Sequence, residues 1–408
     1  DSRIQMMEGE GMPSRKKSKN SASPKLVSQS EIIDVLAILE PTILLDEIAK
    51  GFIGYSSNKV TVANVAHLAL DSHDDLRGDA CIKSGYVQGA EIWVVKVASG
   101  WPNNAERFNL SNSQGCMLVF SQLTGALESV LADGGLLTDT RTACAASLCV
   151  REFAPTGPLA SIAIVGPGVV ATLICEQLPQ LQCVHGQSTE LIVIGRSEER
   201  ARSFGEKARS FGWGVVTCAS VEASSAPALL SRAQVVITCT PATTPLLLNR
   251  NACSSSGKLI VALGADAKGK RELGPAVFQS LSGSDGQHAR KAADGGGGGG
   301  ETGAINSSEA ESTAGSTAQP PLVIADSLSQ CTEFGECASA IADGVLDPTN
   351  ILELGACLCK VKSGGEGDAT GHRGGDLRAN ADRDVIVDLT GVAVQDVVIA
   401  SLIVEALK

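Results

Sequence analysis

The sequence predicts an α/β protein: a doubly wound parallel sheet with a smaller α+β unit in front of it. Three observations carry this. From about residue 160 onward, short apolar runs alternate with helix-compatible stretches at the pitch of repeated βαβ units. Ser161–Ala171 reads Ser-Ile-Ala-Ile-Val-Gly-Pro-Gly-Val-Val-Ala, a strand that breaks on Gly166 and Gly168 and resumes as a helix with small Ala171. Before residue 150, strand-like runs follow one another with no helix between them, which favours antiparallel pairing.

The chain has 408 residues, enough for two units and a sizeable core. Apolar residues make up 43% and aromatics 3%, so that core is built from Val, Leu, Ile and Ala. A net charge of −12 argues against a nucleic-acid groove, which needs a basic surface. The 13 cysteines show no paired metal spacing, since Cys357-Leu-Cys359 has a single intervening residue, and no metal site is expected. Such a set fits a reducing compartment better than a disulfide framework. No apolar run approaches the ~20 residues of a membrane span. The expectation is a cytoplasmic protein with no membrane contact.

Residues 1–29 are polar, carry the basic cluster Arg15–Lys19, and read as a disordered tail. Glu31–Phe52 has helical spacing broken at Pro41, with Ser28 or Ser30 capping the first helix and Thr42 opening the second. Lys59–Leu70, Ala80–Tyr86 and Ala90–Ser99 alternate like strands. Cys116–Phe120 and Ala126–Leu131 flank a hairpin turn, and an alanine-rich helix runs from Leu137 to Val150 behind Thr138 or Asp139 as cap. Pro155–Pro158 is a hinge. These features divide the chain into a first unit, 30–154, and a second, 155–393.

In the second unit Glu190–Gly195, Gly214–Cys218, Gln234–Thr240, Lys258–Gly264, Leu322–Ala325 and Val385–Leu389 read as further strands. Helices are expected at Val169–Leu178, Glu198–Ser210, Ala226–Arg232, Thr332–Asp343 and Val394–Leu407. Residues 281–320, with six successive glycines at Gly295–Gly300, and residues 363–380 read as disordered insertions.

The chemistry-bearing positions start at the glycine turn. Gly166 permits a tight turn, Gly168 a close backbone approach to a pyrophosphate, and the following helix N-terminus favours the anion. Arg196-Ser197 ends the next strand, where an acid for a ribose 2′-hydroxyl is usual. A guanidinium and a hydroxyl suit a 2′-phosphate instead, so NADP(H) is expected over NAD(H). Thr238 and Thr240 stand at a strand end beside this loop. Lys96 lies inside an apolar strand, where its charge either reaches solvent or meets a buried partner. Asp266 follows a strand at the carboxyl edge of the sheet, as a turn residue or as an acid/base group. Arg141 near a helix start is unfavourable unless an anion is close, or else it is simply exposed.

Longer stretches carry a resemblance. Val94–Gly100 with Asn104, Thr124-Gly125, Leu137–Ala143, Gly264–Leu273 and Asp388–Asp396 occur in this order between about residues 60 and 404. Together they resemble the ornithine cyclodeaminase/mu-crystallin family. The resemblance implies a homodimer with a Rossmann domain behind a substrate-binding and dimerisation domain, completed by the C-terminal helix 394–408. It implies an NAD(P)-dependent enzyme acting on the C–N bond of a small amino or imino acid. The leading form is a deaminating cyclisation of ornithine or a related diamino acid to a proline-type product and ammonia. An NADPH-dependent ketimine reductase and a non-catalytic, crystallin-like NADPH-binding protein are the alternatives.

By the same resemblance Asp266 and Lys96 are catalytic, Asp266 moving protons with a pKa raised toward neutrality. Lys83, Lys96, Arg141, Lys270 and Val392 face substrate. Asn112, Arg141, Gly166, Gly168, Val169, Val170, Arg196, Ser197, Thr238, Thr240, Leu263, Gly264 and Thr390 face the cofactor. Three departures point away from ornithine itself. Val170 stands where glutamine is common, and Lys268 where proline is usual. Asp71–Asp74 replaces an arginine that grips the substrate carboxylate, leaving Lys83 to take over that contact.

Overall fold

Two sheets organise the chain in the computed structural model, which describes residues 23–73, 76–248, 257–279, 319–362, 377–380 and 383–408. The first sheet holds β1 (Lys25–Ser28), β2 (Val60–Val62), β3 (Ala66–His73), β4 (Leu76–Val87), β5 (Ile92–Gly100), β6 (Ser113–Ser121) and β7 (Leu127–Ala132). Its order is β1-β7-β6-β5-β4-β2, with β3 also on β4. Only the β1–β7 pair is parallel. Helices α1 (Gln29–Ile38), α2 (Pro41–Ser56), α3 (Asn104–Phe108) and α4 (Leu136–Phe153) accompany it.

Period-two alternation gives this sheet two different faces. Lys83, Lys96, Met117 and Leu131 lie in one cross-strand row and are all buried. The neighbouring row, Tyr86, Trp93 and Phe120, points the other way, and Trp93 stacks on Phe120 at 4.2 Å. Half-buried Val95, Leu118 and Val130 and exposed Leu26 extend that outer face, so it is apolar and uncovered within one chain.

The second sheet is β8 (Ser161–Val165), β9 (Glu190–Gly195), β10 (Val215–Ser220), β11 (Val235–Thr238), β12 (Leu259–Ala262), β13 (Leu322–Ala325), β14 (Ile351–Glu353) and β15 (Val385–Asp388). All neighbours are parallel, in the order β10-β9-β8-β11-β12-β15-β13-β14. Helices α5 (Val169–Gln177), α6 (Glu198–Ser210), α7 (Ala226–Arg232), α8 (Leu328–Cys331), α9 (Glu336–Ala342) and α10 (Leu354–Lys362) accompany these strands, and α11 (Ala393–Ala406) follows the last of them. Every residue of β8, β11, β12 and β15 is buried, as strands with helices on both faces must be. The order reverses between β8 and β11, which opens a crevice at their carboxyl ends. This is the doubly wound fold the βαβ pattern predicts.

Several boundaries differ from the sequence expectation. The end of the expected tail forms β1, and Ser28 closes a capping box with Glu31. Helix α2 begins at Pro41, because proline's missing N–H costs nothing at a first position, and Thr42 lies inside it. Helix α4 starts at Leu136: Gly134 and Gly135 turn the chain early with φ of 61° and 91°, and Asp133 Oδ2 accepts the Leu137 N–H at 2.8 Å. Thr138 and Asp139 therefore do not cap it. The expected helix Thr332–Asp343 is shortened to α9, which begins at Glu336 after Gly335, whose φ is 104°, and α8 precedes it as a separate turn. Strand β14 and helix α10 had no clear apolar period and were not predicted. Residues 377–380, at the end of the second expected insertion, are docked on α4, with the Ala379 N–H donating to Phe153 O at 2.9 Å. Residues 1–22, 281–318 and 363–376, including the basic cluster and the glycine run, lie outside the described residues.

Helix α11 closes the fold by leaving the parallel sheet and packing on α2, β4 and β5. Among the described residues, no helix is long and apolar enough to cross a membrane. Helix α10 also crosses α2, and does so closely: a Cβ on Gly355 would collide with the Phe52 carbonyl. Gly355→Ala is expected to destabilise the fold by about 1–3 kcal/mol through forced separation of the two helices. Denaturant unfolding checks this, with Gly157→Ala as a control for strain from positive φ without a clash.

Candidate active site

The crevice at the β8/β11 reversal begins with the glycine turn. Gly166 has φ of 96°, and a Cβ there would press on Thr240 and the Cys239 carbonyl. Only glycine fits both demands. A Cβ at Gly168 would meet nothing within 4 Å, and Gly168 begins α5 without any side-chain cap. The first N–H groups of α5 thus face open space with nothing else to satisfy them, which suits a dinucleotide pyrophosphate. Val169 is half exposed at this edge and Val170 lies beside it. Arg196 is exposed at the end of β9, while the Ser197 hydroxyl accepts the Arg200 N–H as the cap of α6. Asn112 is exposed, with its Oδ1 accepting the Ala105 N–H of α3, and α3 reaches α6 through Glu106 and Arg200 at 3.7 Å.

Behind the crevice stands a buried charge cluster. Lys83 from β4, Lys96 from β5 and Arg141 from α4 are 4%, 2% and 5% exposed. Lys83 Nζ donates to the carbonyls of Thr390 and Gly391 at 3.1 and 2.5 Å. Lys96 Nζ lies 3.3 Å from Asp396 Oδ2, and Arg141 Nε lies 3.1 Å from Asp396 Oδ1. Arg141 Nη1 also donates to Gln395 Oε1 at 2.5 Å. Gly391, with φ of 83°, is pressed against both Arg141 and Lys83, so a side chain there would displace the two cations. Burial, then the Arg141 charge, brings the Lys96 ammonium down to about 8, with Asp396 opposing.

Asp266 sits in the loop after β12, its carboxylate bonded to Lys270 Nζ at 2.7 Å and half exposed in the concavity. Burial pushes its carboxyl up. The Lys270 ammonium, then Lys83 and Arg141, more than offset this and hold it below the ordinary carboxylate value. The expected shift toward neutrality is therefore corrected: cations from both halves of the chain face this carboxylate and keep it ionised.

A buried carboxylate ties the surrounding loops together. Glu272 is fully buried; its Oε1 accepts the Thr240 N–H and hydroxyl, and its Oε2 accepts the Thr238 hydroxyl and the Gly264 N–H. Thr238 is thus turned into the core rather than toward a cofactor, and Thr390 likewise, its hydroxyl donating to Asp326 at 2.9 Å. Val392 is fully buried in the apolar core and presents no surface to a substrate. Leu263 is almost wholly buried, and Gly264 is needed because a Cβ would strike the Thr240 carbonyl and Glu272. The structure brings Lys83, Lys96, Arg141, Lys270 and Asp266 to one end of the cleft. Arg196, Ser197 and the glycine turn lie at the ends of the β8 and β9 strands.

Sequence reasoning passed over Gln395, Asp396, Glu272 and His67 as site residues. The signal for the first two was present: a polar pair opening an otherwise apolar helix. His67 faces the same side as Lys83, in register with Cys81, and meets Phe334 edge-on at 5.8 Å. It lines a cavity of about 1140 Å³ with Tyr55, Asp79, Lys268 and Lys270.

The sequence profile of the ornithine cyclodeaminase/mu-crystallin family matches residues 24–291. A relative from Sinorhizobium fredii, named as an uncharacterized cyclodeaminase, is 28% identical over 341 residues, 82% of either chain. The iminosuccinate reductase of Paracoccus denitrificans is 26% identical over 378 residues, 92% of this chain and 95% of that one. A solved archaeal alanine dehydrogenase dimer with bound NAD has a TM-score of 0.69 at 19% identity, covering 94% of this chain and 95% of that one. That last likeness is one of fold.

Each Glu272 oxygen carries one backbone N–H, so an amide in its place must point its NH2 at a group that only donates. Glu272→Gln is expected to cost about 1–3 kcal/mol of stability and to weaken NAD(P)H binding about tenfold. Denaturant unfolding and cofactor fluorescence titration measure the two effects.

Proposed function

Because the chain belongs to the ornithine cyclodeaminase/mu-crystallin family, we propose that it is an NAD(P)-dependent enzyme acting on the C–N bond of a small, anionic imino or amino acid. One observation carries the reading. Three buried cations, Lys83, Lys96 and Arg141, converge beside the Asp266–Lys270 pair at the carboxyl edge of a parallel sheet. Among the described residues their one direct ion-pair partner is Asp396, Lys83 is held by neutral carbonyls, and Asp133, Asp139 and Asp326 act on them from further off. Three buried cations with one directly paired carboxylate suit a substrate that brings its own carboxylate rather than one bringing a second ammonium. Reduction of an imino acid therefore stands ahead of the deaminating cyclisation that the sequence resemblance puts first. The likeness to an iminosuccinate reductase supports the same order.

In this mechanism Lys96 and Arg141 bind the substrate carboxylate, which orients the C–N bond toward Asp266. The Asp266 carboxylate accepts the N–H of the imine and keeps it protonated, and the protonated C=N carbon is a better hydride acceptor than the neutral one. Lys270 holds Asp266 ionised and in place. A nicotinamide dinucleotide, whose pyrophosphate Gly166, Gly168 and the start of α5 would hold, would supply or take the hydride. In the reverse direction Asp266 takes a proton from the substrate ammonium. Arg196, with no acid at 195–197, supports NADP(H) over NAD(H).

A cyclodeaminase is the second reading, favoured by Asp79 and Glu333 on the cavity wall, which offer carboxylates to a second ammonium. The uncovered outer face of the first sheet supports a homodimer in which a second copy covers it. The cavity and the Asp266 loop both remain reachable in that arrangement, since the buried cations lie on the opposite face.

A panel of cyclic imino acids, iminosuccinate, ornithine and lysine, run with NADH and NADPH and followed for cofactor absorbance and ammonia, tests the activity. Stoichiometric NADPH oxidation by an imino acid is expected, falling about 100-fold or more in Asp266→Asn. Ammonia release without net cofactor change would establish the cyclodeaminase. Equal inactivity of wild type and variant, with NADPH still bound, would leave only a binding protein. Light scattering should give a dimer mass for wild type and a monomer for Trp93→Glu, which places a charge in the apolar face.

A further inference from the structure

We propose that Asp396 is a fixed counter-ion that keeps the buried Lys96 ammonium charged and thereby sets the upper pH limit for binding the substrate carboxylate. The inference rests on the reading of Lys96 given above. Asp396 lies in the first turn of α11, where the helix N-terminus favours a carboxylate, and is 1% exposed. Two cations from other elements reach it, Lys96 at 3.3 Å and Arg141 at 3.1 Å. Neither Asp396 oxygen nor Arg141 Nε makes an aligned hydrogen bond within the protein. The contact is therefore one of charge more than of direction, and it leaves Lys96 and Arg141 with donors to turn toward a carboxylate.

The surroundings of Lys96 make the partner necessary. Arg141 on α4 and Lys83 on β4 repel its charge, Cys81 on β4 favours it weakly, and Asp133 and Asp139 at the start of α4 act from further off. Burial is the largest influence and disfavours the ammonium. With Asp396 made neutral, burial and Arg141 act with less opposition. Lys96 binds a carboxylate only while protonated, so affinity is level below its pKa and falls above it. An opposite charge at this range moves a pKa by about one to three units. Losing it moves the alkaline limit down by that amount.

The experiment compares wild type, Asp396→Asn and Lys96→Arg from about pH 5.5 to about 9.5, using kcat/KM for a cyclic imino acid. Calorimetric binding of pyrrole-2-carboxylate to the protein loaded with oxidised cofactor is the second readout. In Asp396→Asn the alkaline limb should shift down by about one to three units. Values near pH 8 should fall about fivefold or more, and always by more than those near pH 6. Lys96→Arg, whose guanidinium does not titrate, should lose that limb in the binding assay.

A uniform loss at every pH with the limb unmoved means a merely structural role and overturns the proposal, as does a limb that survives Lys96→Arg. If Asp396→Asn does not fold, Asp396→Glu, which keeps the charge but displaces it, should move the limb down, and a limb left unmoved overturns the proposal. If wild type reduces no imino acid, the proposed function fails while the binding profile still tests the counter-ion. Failure of wild type to bind pyrrole-2-carboxylate overturns both.

Discussion

Holding Lys96 and Arg141 out of water around the Asp396 carboxylate is the constraint on which the rest of this structure depends. An isolated buried charge costs several kcal/mol, so Lys96 and Arg141 are tolerable only with Asp396 between them. Asp396 arrives on α11, after the chain has completed the whole parallel sheet. The last helix must therefore return to the first sheet for the cleft to exist at all. Gly391 makes that return possible, because its positive φ and missing side chain leave room for Lys83 and Arg141.

The loops around the cleft are held by a second device, buried carboxylates that accept backbone N–H groups. Glu272 ties the ends of β11 and β12 through Thr240 and Gly264. Glu336 accepts the N–H groups of Glu272 and Leu273 at 2.6 and 3.0 Å, and Asp326 accepts that of Gly391 at 2.6 Å. Burial pushes Glu336 up to about 8. These acids take the place that water or side-chain caps fill at exposed strand ends. They fix the Asp266 loop and the Gly391 turn, so the two halves of the site are set by one connected scaffold.

How much of this was legible depends on how local each cause is. Helices α6 and α7 and strand β13 fall where their apolar period places them, and the glycine turn is where its spacing puts it. The misplaced boundaries have a common origin in turns whose backbone bonds compete with propensity. Gly134-Gly135 started α4 early, and Gly335 interrupted a run that is otherwise helical in pattern. Val392, Thr238 and Thr390 were assigned toward ligands by their neighbours in sequence, yet each turns into the core. Strand-end residues alternate faces, and one residue's difference in register exchanges cleft for interior.

By itself the sequence determined the doubly wound sheet, the α+β unit before it and the glycine turn at Gly166 and Gly168, and it pointed to Lys96 and Asp266 as a candidate pair. Hydrophobic period, glycine spacing and strand–helix alternation act over a few residues and are written in order along the chain. Only the tertiary structure decided which charges meet. Arg141 and Gln395 are bonded across 254 positions, and the ionisation of Asp266 and Lys96 follows from partners that chain order does not reveal. Electrostatic free energy depends on distance and burial in space, and both are fixed only when the two sheets close on each other.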